Sequence, residues 1–457
     1  MAIEDIVSSM QEEYLRHNLF TKGIHAFEEH DPHLEILKDL KFVSPLNWWA
    51  DLDWTKPGIY ILTGGRQIGK STSTKLLIRE VLKQKTFSAQ QVFYLPCDRV
   101  DDYHHLARVI SAFVEDIPKG EEGRFLIIID EATFVPDWDR AIKALTDDGT
   151  LKRGFCIITG SDSVILKDAA SRFPGRRGEA DIQDFHLHPL NFHEYIKLVN
   201  PEFLKEPENH IEKILASFKT FLKCGGYLRA INDIHSAGEI RKATHLTFEQ
   251  WIRGDFERRG KNAQTLLHLL ATVFESAGTQ VTYSSLTNKM GRVAKETFID
   301  YVNLLERMDV LFALQAFDQN TRMGFPRKAR KLHFWDPFIM DTVDRWLVAE
   351  RCMKPRDTDP LKAESIAAAN YRRCLPTYYL KADGEVDIVI ADEKRFVPME
   401  VKWTNQLRPN DLKQLVKYKE AVILTKTTSR CTIEGIQAVP LPLFLLLFPD
   451  GMPHIDG

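Results

Sequence analysis

Gly64-Gly65-Arg66-Gln67-Ile68-Gly69-Lys70-Ser71 decides the reading of this chain. The spacing is GxxxxGK[ST], and its surroundings are those the chemistry needs. Before it, Gly58-Ile59-Tyr60-Ile61-Leu62-Thr63 predicts a buried strand; after it, Ser71 to Gln84 predicts a helix. A glycine-rich turn between strand and helix aims successive backbone N–H groups, and the positive end of the helix dipole, at one small volume. That volume suits the phosphates of a nucleotide. Gly64, Gly65, Arg66, Gln67, Ile68 and Gly69 form the cradle, with Thr72 beside it. Lys70 is placed to reach the β- and γ-phosphates and the Ser71 hydroxyl to ligate Mg²⁺. ATP and Mg²⁺ are therefore the expected cofactors.

Working outward, Phe125-Leu126-Ile127-Ile128-Ile129-Asp130-Glu131 is a continuous apolar run ending in two carboxylates. This is the pattern of a central parallel strand whose C-terminal end opens onto a ligand site. Asp130 would hold Mg²⁺ through water, and Glu131 would polarise the attacking water. Two more runs suit the same sheet: Gln91 to Leu95, and Gly154 to Thr159 leading into Gly160-Ser161. Thr159 or Ser161 would then stand beside the γ-phosphate as a polar sensor.

With 457 residues and 44% hydrophobic content, the chain can build several cores. A net charge of -3 argues against a globally basic nucleic-acid coat while leaving room for local patches. The six cysteines are scattered without a CxxC pair, which predicts neither a zinc site nor a disulfide framework and suits a reducing compartment. The opening Met-Ala-Ile-Glu-Asp-Ile lacks the pattern of a secretory signal, so the expected location is cytoplasmic. The late apolar run Ile436 to Phe448 contains Pro440 and Pro442 and predicts buried core, not a bilayer span.

The expected order is an N-terminal helical segment (1–50) with Trp48 and Trp49 packed on the nucleotide core, an α/β core (51–195), a helical lid (196–255), a three-helix unit with a hairpin (256–335), and a final α/β domain (336–457). In the lid, Arg229 follows Gly225-Gly226 at a helix start, where a cation could reach the γ-phosphate. One of Arg172, Arg176 and Arg177 could act in trans on a neighbouring subunit's nucleotide. Asn262 to Ser276, Tyr283 to Met290 and Lys295 to Met308 read as three helices, suggesting a helix-turn-helix. The hairpin Val310 to Phe334 carries Arg322, Arg327, Lys328, Arg330 and Lys331, a basic wing suited to phosphate contacts on DNA. Such a unit can also serve as a protein-protein spacer.

In the last third, Gly384 to Ile390 and Val397 to Lys402 predict two strands joined by a short turn. Residues two apart share a face, so Glu385 pairs with Asp387 and Glu400 with Lys402. Asp387 and Glu400 could hold a divalent cation, with Glu364 as a further ligand and Lys402 activating water against a phosphodiester. The same alternation also describes a strand with one solvated face.

With these residues assembled, the chain resembles a family of bacterial and archaeal AAA+ ATPases of the P-loop class that join a winged helix and a restriction-endonuclease-like domain. The resemblance rests on Gly64 to Ser71, Asp130-Glu131 with Val135-Pro136-Asp137-Trp138, Thr159-Gly160-Ser161, and the paired C-terminal strands. It implies that Asp387, Glu400 and Lys402 map onto the PD-(D/E)xK nuclease pattern, with Glu364 as the helical acid and Val386 where that pattern has Pro. It also implies a homo-hexameric ring with nucleotide at subunit interfaces. Together these readings predict an ATP-driven protein that remodels duplex or branched DNA in recombination or repair, with nuclease action secondary. The alternatives are a nucleotide-gated defence or signalling ATPase with a nuclease effector, and an ATP-dependent protein scaffold.

Overall fold

The computed structural model describes residues 14–44, 47–117, 123–160, 166, 173–291, 293–381, 384–404 and 414–453. The chain divides into two compact units, Met1–His188 and Pro189–Gly457.

In the first unit, short helices α1 (Ile24–His30) and α2 (Pro32–Lys38) precede β1 (Gly58–Gly64) and α3 (Lys70–Lys83). Then come β2 (Val92–Pro96), α4 (Tyr103–Asp116), β3 (Phe125–Asp130), α5 (Trp138–Asp147), β4 (Gly154–Thr159) and β5 (Asp184–Leu187). The strands form one parallel sheet in the order β2-β3-β4-β1-β5. Strands β3 and β4 are buried at every residue, as expected where helices cover both faces. Because β4 lies between β1 and β3, the ends of three different strands meet at one edge: the glycine turn, Thr159 and Asp130.

The N-terminal segment is fastened to β2 and α3. The Asn18 side chain donates to the Tyr94 carbonyl (2.9 Å) and accepts from the Tyr94 N–H (2.8 Å). Lys75 of α3 is fully buried and pairs with Asp31 (3.1 Å), which also caps α2 through the His33 and Leu34 N–H groups. Trp48 donates to Ser73 (3.2 Å) and packs on Phe185.

In the second unit, helices α6 (Phe192–Val199), α7 (Ile211–Cys224), α8 (Leu228–Ala237) and α9 (Lys242–Arg258) lead to α10 (Ala263–Glu275), α11 (Tyr283–Met290) and α12 (Lys295–Arg307). A hairpin of β6 (Leu311–Asp318) and β7 (Met323–Phe334) follows, then α13 (Pro337–Ala349) and α14 (Asp359–Arg372). The remaining elements are β8 (Thr377–Lys381), β9 (Glu385–Ala391), β10 (Phe396–Lys402), β11 (Val422–Thr425), β12 (Cys431–Ile433), β13 (Ile436–Pro440) and α15 (Leu441–Leu447).

These strands make one mixed sheet in the order β12-β13-β11-β10-β9-β8-β6-β7. The hairpin therefore does not stand apart, because β6 meets β8 in parallel at Ala316 and Tyr379. The sheet runs on across residue 335, where the sequence suggested a boundary. Strand β13 and helix α15 account for the late apolar run, and α15 is buried almost throughout. No helix among the described residues is long and apolar enough to cross a membrane.

Candidate nucleotide site and a second carboxylate cluster

The turn after β1 has the backbone that the phosphate-cradling pattern requires. Gly64 has φ +147° and Gly69 φ +98°, and a Cβ on Gly64 would lie 2.6 Å from the Leu187 carbonyl. Only glycine suits both constraints at that position. Gly69 is the residue before α3, so the first turn of that helix faces the loop. Lys70 is buried and donates to the Gly64 (2.9 Å) and Gly65 (3.0 Å) carbonyls, folding back over the cradle. Ser71 and Thr72 follow in the same helical turn, half-buried. Arg66, Gln67 and Ile68 complete the loop; burial lowers the Arg66 pKa, and the Glu131 carboxylate acts against that shift.

Across the strand ends, both Asp130 oxygens accept from neutral hydroxyls. Thr159 donates to Oδ1 (2.5 Å) and Tyr94 donates to Oδ2. Burial beside Asp130 raises the Tyr94 pKa well above its ordinary value, so Tyr94 remains a donor. Thr159 also accepts from the Glu131 N–H (3.2 Å). Glu131 itself has φ +57°, an uncommon conformation for a glutamate at the end of a central strand. Of the two hydroxyls expected here, that of Thr159 links the two adjacent acids; Ser161 lies outside the described residues.

Sequence reasoning missed Tyr94, Lys75 and Asp31. The Lys75 ammonium lies 3.5 Å from the centroid of the Tyr94 ring and donates to the His17 carbonyl (2.6 Å), so an unbroken set of contacts joins Asp31, Lys75, Tyr94 and Asp130. A lysine in the run Lys70-Ser71-Thr72-Ser73-Thr74-Lys75 looks like a surface residue; only its i+5 offset from Lys70 places it on another face.

Two candidate trans arginines have partners in their own chain. Arg177 forms a bidentate pair with Asp184 (2.9 Å for each bond) and donates to the Gln183 carbonyl (2.8 Å), tying β5 down. Arg176 pairs with Asp147. Arg172 lies outside the described residues. Arg229 is exposed near the start of α8 in the second unit. The preceding glycine pair encloses a carboxylate instead of a phosphate: the Gly226 N–H donates to Asp336 (2.7 Å), and a Cβ on Gly225 would collide with Asp336 Oδ1. Burial pushes the Asp336 carboxyl up to about 6.

In the second unit the structure brings Asp387, Glu400 and Lys402 together as the strand pairing predicts. Strands β9 and β10 are antiparallel with Met399 opposite Ile388, and the Asp387 N–H donates to Glu400 Oε2 (3.3 Å). Lys402 pairs with Glu400 Oε1 (2.8 Å), and the Val401 N–H donates to Asp387 Oδ2 (3.0 Å). Glu364 comes in from the middle of α14. The unexpected member is Lys331. Read from sequence as part of a basic wing, it is fully buried, and its ammonium lies 3.0 Å from Glu364, 2.6 Å from Glu385 and 2.9 Å from Asp387. Burial and the neighbouring Asp387 charge push the Glu364 and Glu400 carboxyls up from their ordinary range, and the Lys331 and Lys402 ammonium groups pull against that shift.

The carboxylates therefore do not suit a divalent cation as they stand. Each Asp387 and Glu400 oxygen has a donor, and Glu364 Oε1 has Lys331. Among the described residues no group of three or more His, Cys, Asp or Glu side chains is arranged to hold a metal ion.

Of the other wing residues, Arg330 covers the Tyr283 ring (4.1 Å to its centroid) and Arg322 donates to the Glu393 carbonyl (2.6 Å). Arg327 and Lys328 are exposed near the hairpin tip, together with Met323 and Phe325.

Comparison with known proteins agrees with the first of these two sites. Residues 56–196 match the family described as AAA domain. Residues 215–347 and 363–444 match two domains of unknown function, DUF8612 and DUF4143, and neither description mentions a winged helix or a nuclease. No curated protein matches the chain. Among solved structures it is similar to a Walker-type ATPase of Pyrococcus abyssi at 14% identity, covering 63% of this chain and 91% of that one with a TM-score of 0.41. It is also similar to ORC1 of Aeropyrum pernix in complex with DNA, at 12% identity, covering 65% and 89% with a TM-score of 0.27. RuvB of Thermotoga maritima matches at 14% identity, covering 59% and 85% with a TM-score of 0.26. The glycine cradle, the Asp130-Thr159 pair and the family match agree that residues 56–196 form an AAA-type P-loop ATPase domain.

Proposed function

We propose that this protein hydrolyses ATP to drive work on DNA. The observation that carries the reading is the meeting of the Gly64–Ser71 cradle with an Asp130 carboxylate whose two oxygens accept from the Thr159 and Tyr94 hydroxyls. Ser71 and Asp130 would hold Mg²⁺, which supplies charge neutralisation for phosphoryl transfer when bound with ATP. The backbone N–H groups of the cradle bind the phosphates, and Lys70 leaves the Gly64 and Gly65 carbonyls to meet them. Glu131 orients the attacking water, while Thr159 keeps Asp130 and the Glu131 backbone in register. Replacing Lys70 by Ala should reduce phosphate release to background; unchanged turnover would remove the assignment.

The DNA part of the reading is supported by the exposed Arg327 and Lys328 on the hairpin that follows the three helices α10, α11 and α12. Their contacts would be to phosphates, so binding should weaken steeply with salt. A gel assay with a labelled four-way junction and a matched linear duplex, with ATP and Mg²⁺, tests it. Intact strands released preferentially from the junction support a remodeller acting as a hexameric ring. Shortened strands would support the nucleotide-gated nuclease instead.

A second reading, the ATP-dependent protein scaffold, is favoured by one feature. Met323 is 64% exposed and Phe325 38% exposed beside the same basic residues, a mixture common at protein contacts. Absence of DNA binding at low salt would select it.

A further inference from the structure

We propose that the Lys331 ammonium is the resident cation of the Glu364-Asp387-Glu400 cluster, standing where a nuclease-like site of this kind would take a divalent metal ion. An ammonium has three N–H donors and no acceptor. Here the three donors meet three carboxylates, Glu364, Glu385 and Asp387, each at 3.0 Å or less. Mg²⁺ would need oxygens of the same set at about 2.0–2.1 Å in near-octahedral array. It cannot have them while Lys331 is present, because two cations would share one set of oxygens at contact distance.

The other oxygens are engaged as well. Asp387 Oδ2 accepts from the Val401 N–H, Glu400 Oε2 from the Asp387 N–H, and Glu400 Oε1 from Lys402. Lys331 is also not a side chain that swings out easily. It lies on the inner part of β7, with Leu332, His333 and Phe334 buried after it. Strand β7 pairs with β6 through Leu314 opposite Lys331 and Leu311 opposite Phe334. The motif residues here form an internal charge clasp that joins the hairpin to α14 and β9. The inference goes beyond the ATPase reading and does not depend on it.

The test uses the full-length protein without nucleotide and Mn²⁺ as probe, counted by electron paramagnetic resonance of the free ion. Wild type should show no Mn²⁺ site that Asp387→Asn removes. Lys331→Met, which discharges the side chain at similar length, should gain one Mn²⁺ per chain, lost again in Lys331→Met/Asp387→Asn. An Asp387-dependent site in wild type would overturn the proposal, as would a folded Lys331→Met protein that gains none. If Lys331→Met does not fold, the comparison of wild type with Asp387→Asn still decides: a difference refutes the resident-cation role, and identical Mn²⁺ counts uphold it.

Discussion

Asp130 and Asp387 are both acids on buried strands, shielded from most water, yet their neighbours treat them in opposite ways. Asp130 is held by the hydroxyls of Thr159 and Tyr94, which fix its orientation, and the nearby Lys75 ammonium acts on it across the Tyr94 ring without bonding to it. Asp387 is held by a lysine from another strand, which fixes its orientation and balances its charge at once. The difference shows that a carboxylate in the right place for metal is not enough. What decides is whether its fixed partners are neutral or cationic, because only a neutral clasp leaves a site that a cation gains by entering.

The largest effect that sharpens this contrast is expected at Lys331. Replacing it with Met leaves several buried carboxylates without their cation and should cost about 3–5 kcal/mol of unfolding free energy, read as a lower denaturant midpoint. Combining it with Glu364→Gln and Asp387→Asn should recover most of that loss, since neutralising both sides of a buried pair is cheaper than removing one. A cost for Lys331→Met of under about 1 kcal/mol would mean that water already serves these carboxylates.

On the other side, Thr159→Val removes one donor to Asp130 and the acceptor for the Glu131 N–H. The expected cost is about 1–3 kcal/mol, with ATP turnover falling further than nucleotide affinity. Full turnover in this variant would break the link between the hydroxyl clasp and catalysis.

A smaller effect comes from a group in neither cluster. Burial lowers His245 to about 4, and its ring is hydrogen-bonded to Thr342 (2.9 Å). The folded state therefore keeps His245 neutral, while the unfolded chain takes up a proton below about pH 6.5. Stability is thus lost as pH falls from about 6.5 towards 4. Replacing His245 by Gln should flatten that slope by up to about 1.4 kcal/mol per pH unit, measured by denaturant titration across the window; an unchanged slope would mean that the ring protonates in the fold.

The smallest effect is expected for Tyr94→Phe, about 0.5–1.5 kcal/mol. Thr159 still holds the other Asp130 oxygen. Affinity for ATP should stay near wild type while turnover drops a fewfold, and a loss as large as that of Thr159→Val would mean that the two hydroxyls are not independent.

Much of the nucleotide site was legible because its signal is local. Strands β1, β3 and β4 fall within a residue of the apolar runs that announce them, and the cradle is a contiguous motif. Strand β5 was missed because Asp184-Phe185-His186-Leu187 is short and alternates with polar residues, and it is held by the Arg177-Asp184 pair and by pairing with β1, not by its own pattern. Lys331 was misread because a lysine in Arg327-Lys328-Ala329-Arg330-Lys331 looks like one more wing charge. Its partners lie 33, 54 and 56 positions further along the chain, so no local window contains them. A faint signal was available: the strand ends in Leu332-His333-Phe334 just before the Asp336-Pro337 helix start, so its last residues enter the interior on both faces.

Asn18 bears on the free edge of the first sheet. Strand β2 is the outermost of its sheet, and one side-chain amide occupies both hydrogen-bonding groups of Tyr94 at its middle. An amide side chain copies a peptide unit, so Asn18 acts as a stopper one residue long against the addition of a foreign strand. Clipping the chain after residue 18 or exchanging Asn18 for Ala would bare that rim, and the foreseeable result is fibrous self-association before any loss of the fold itself.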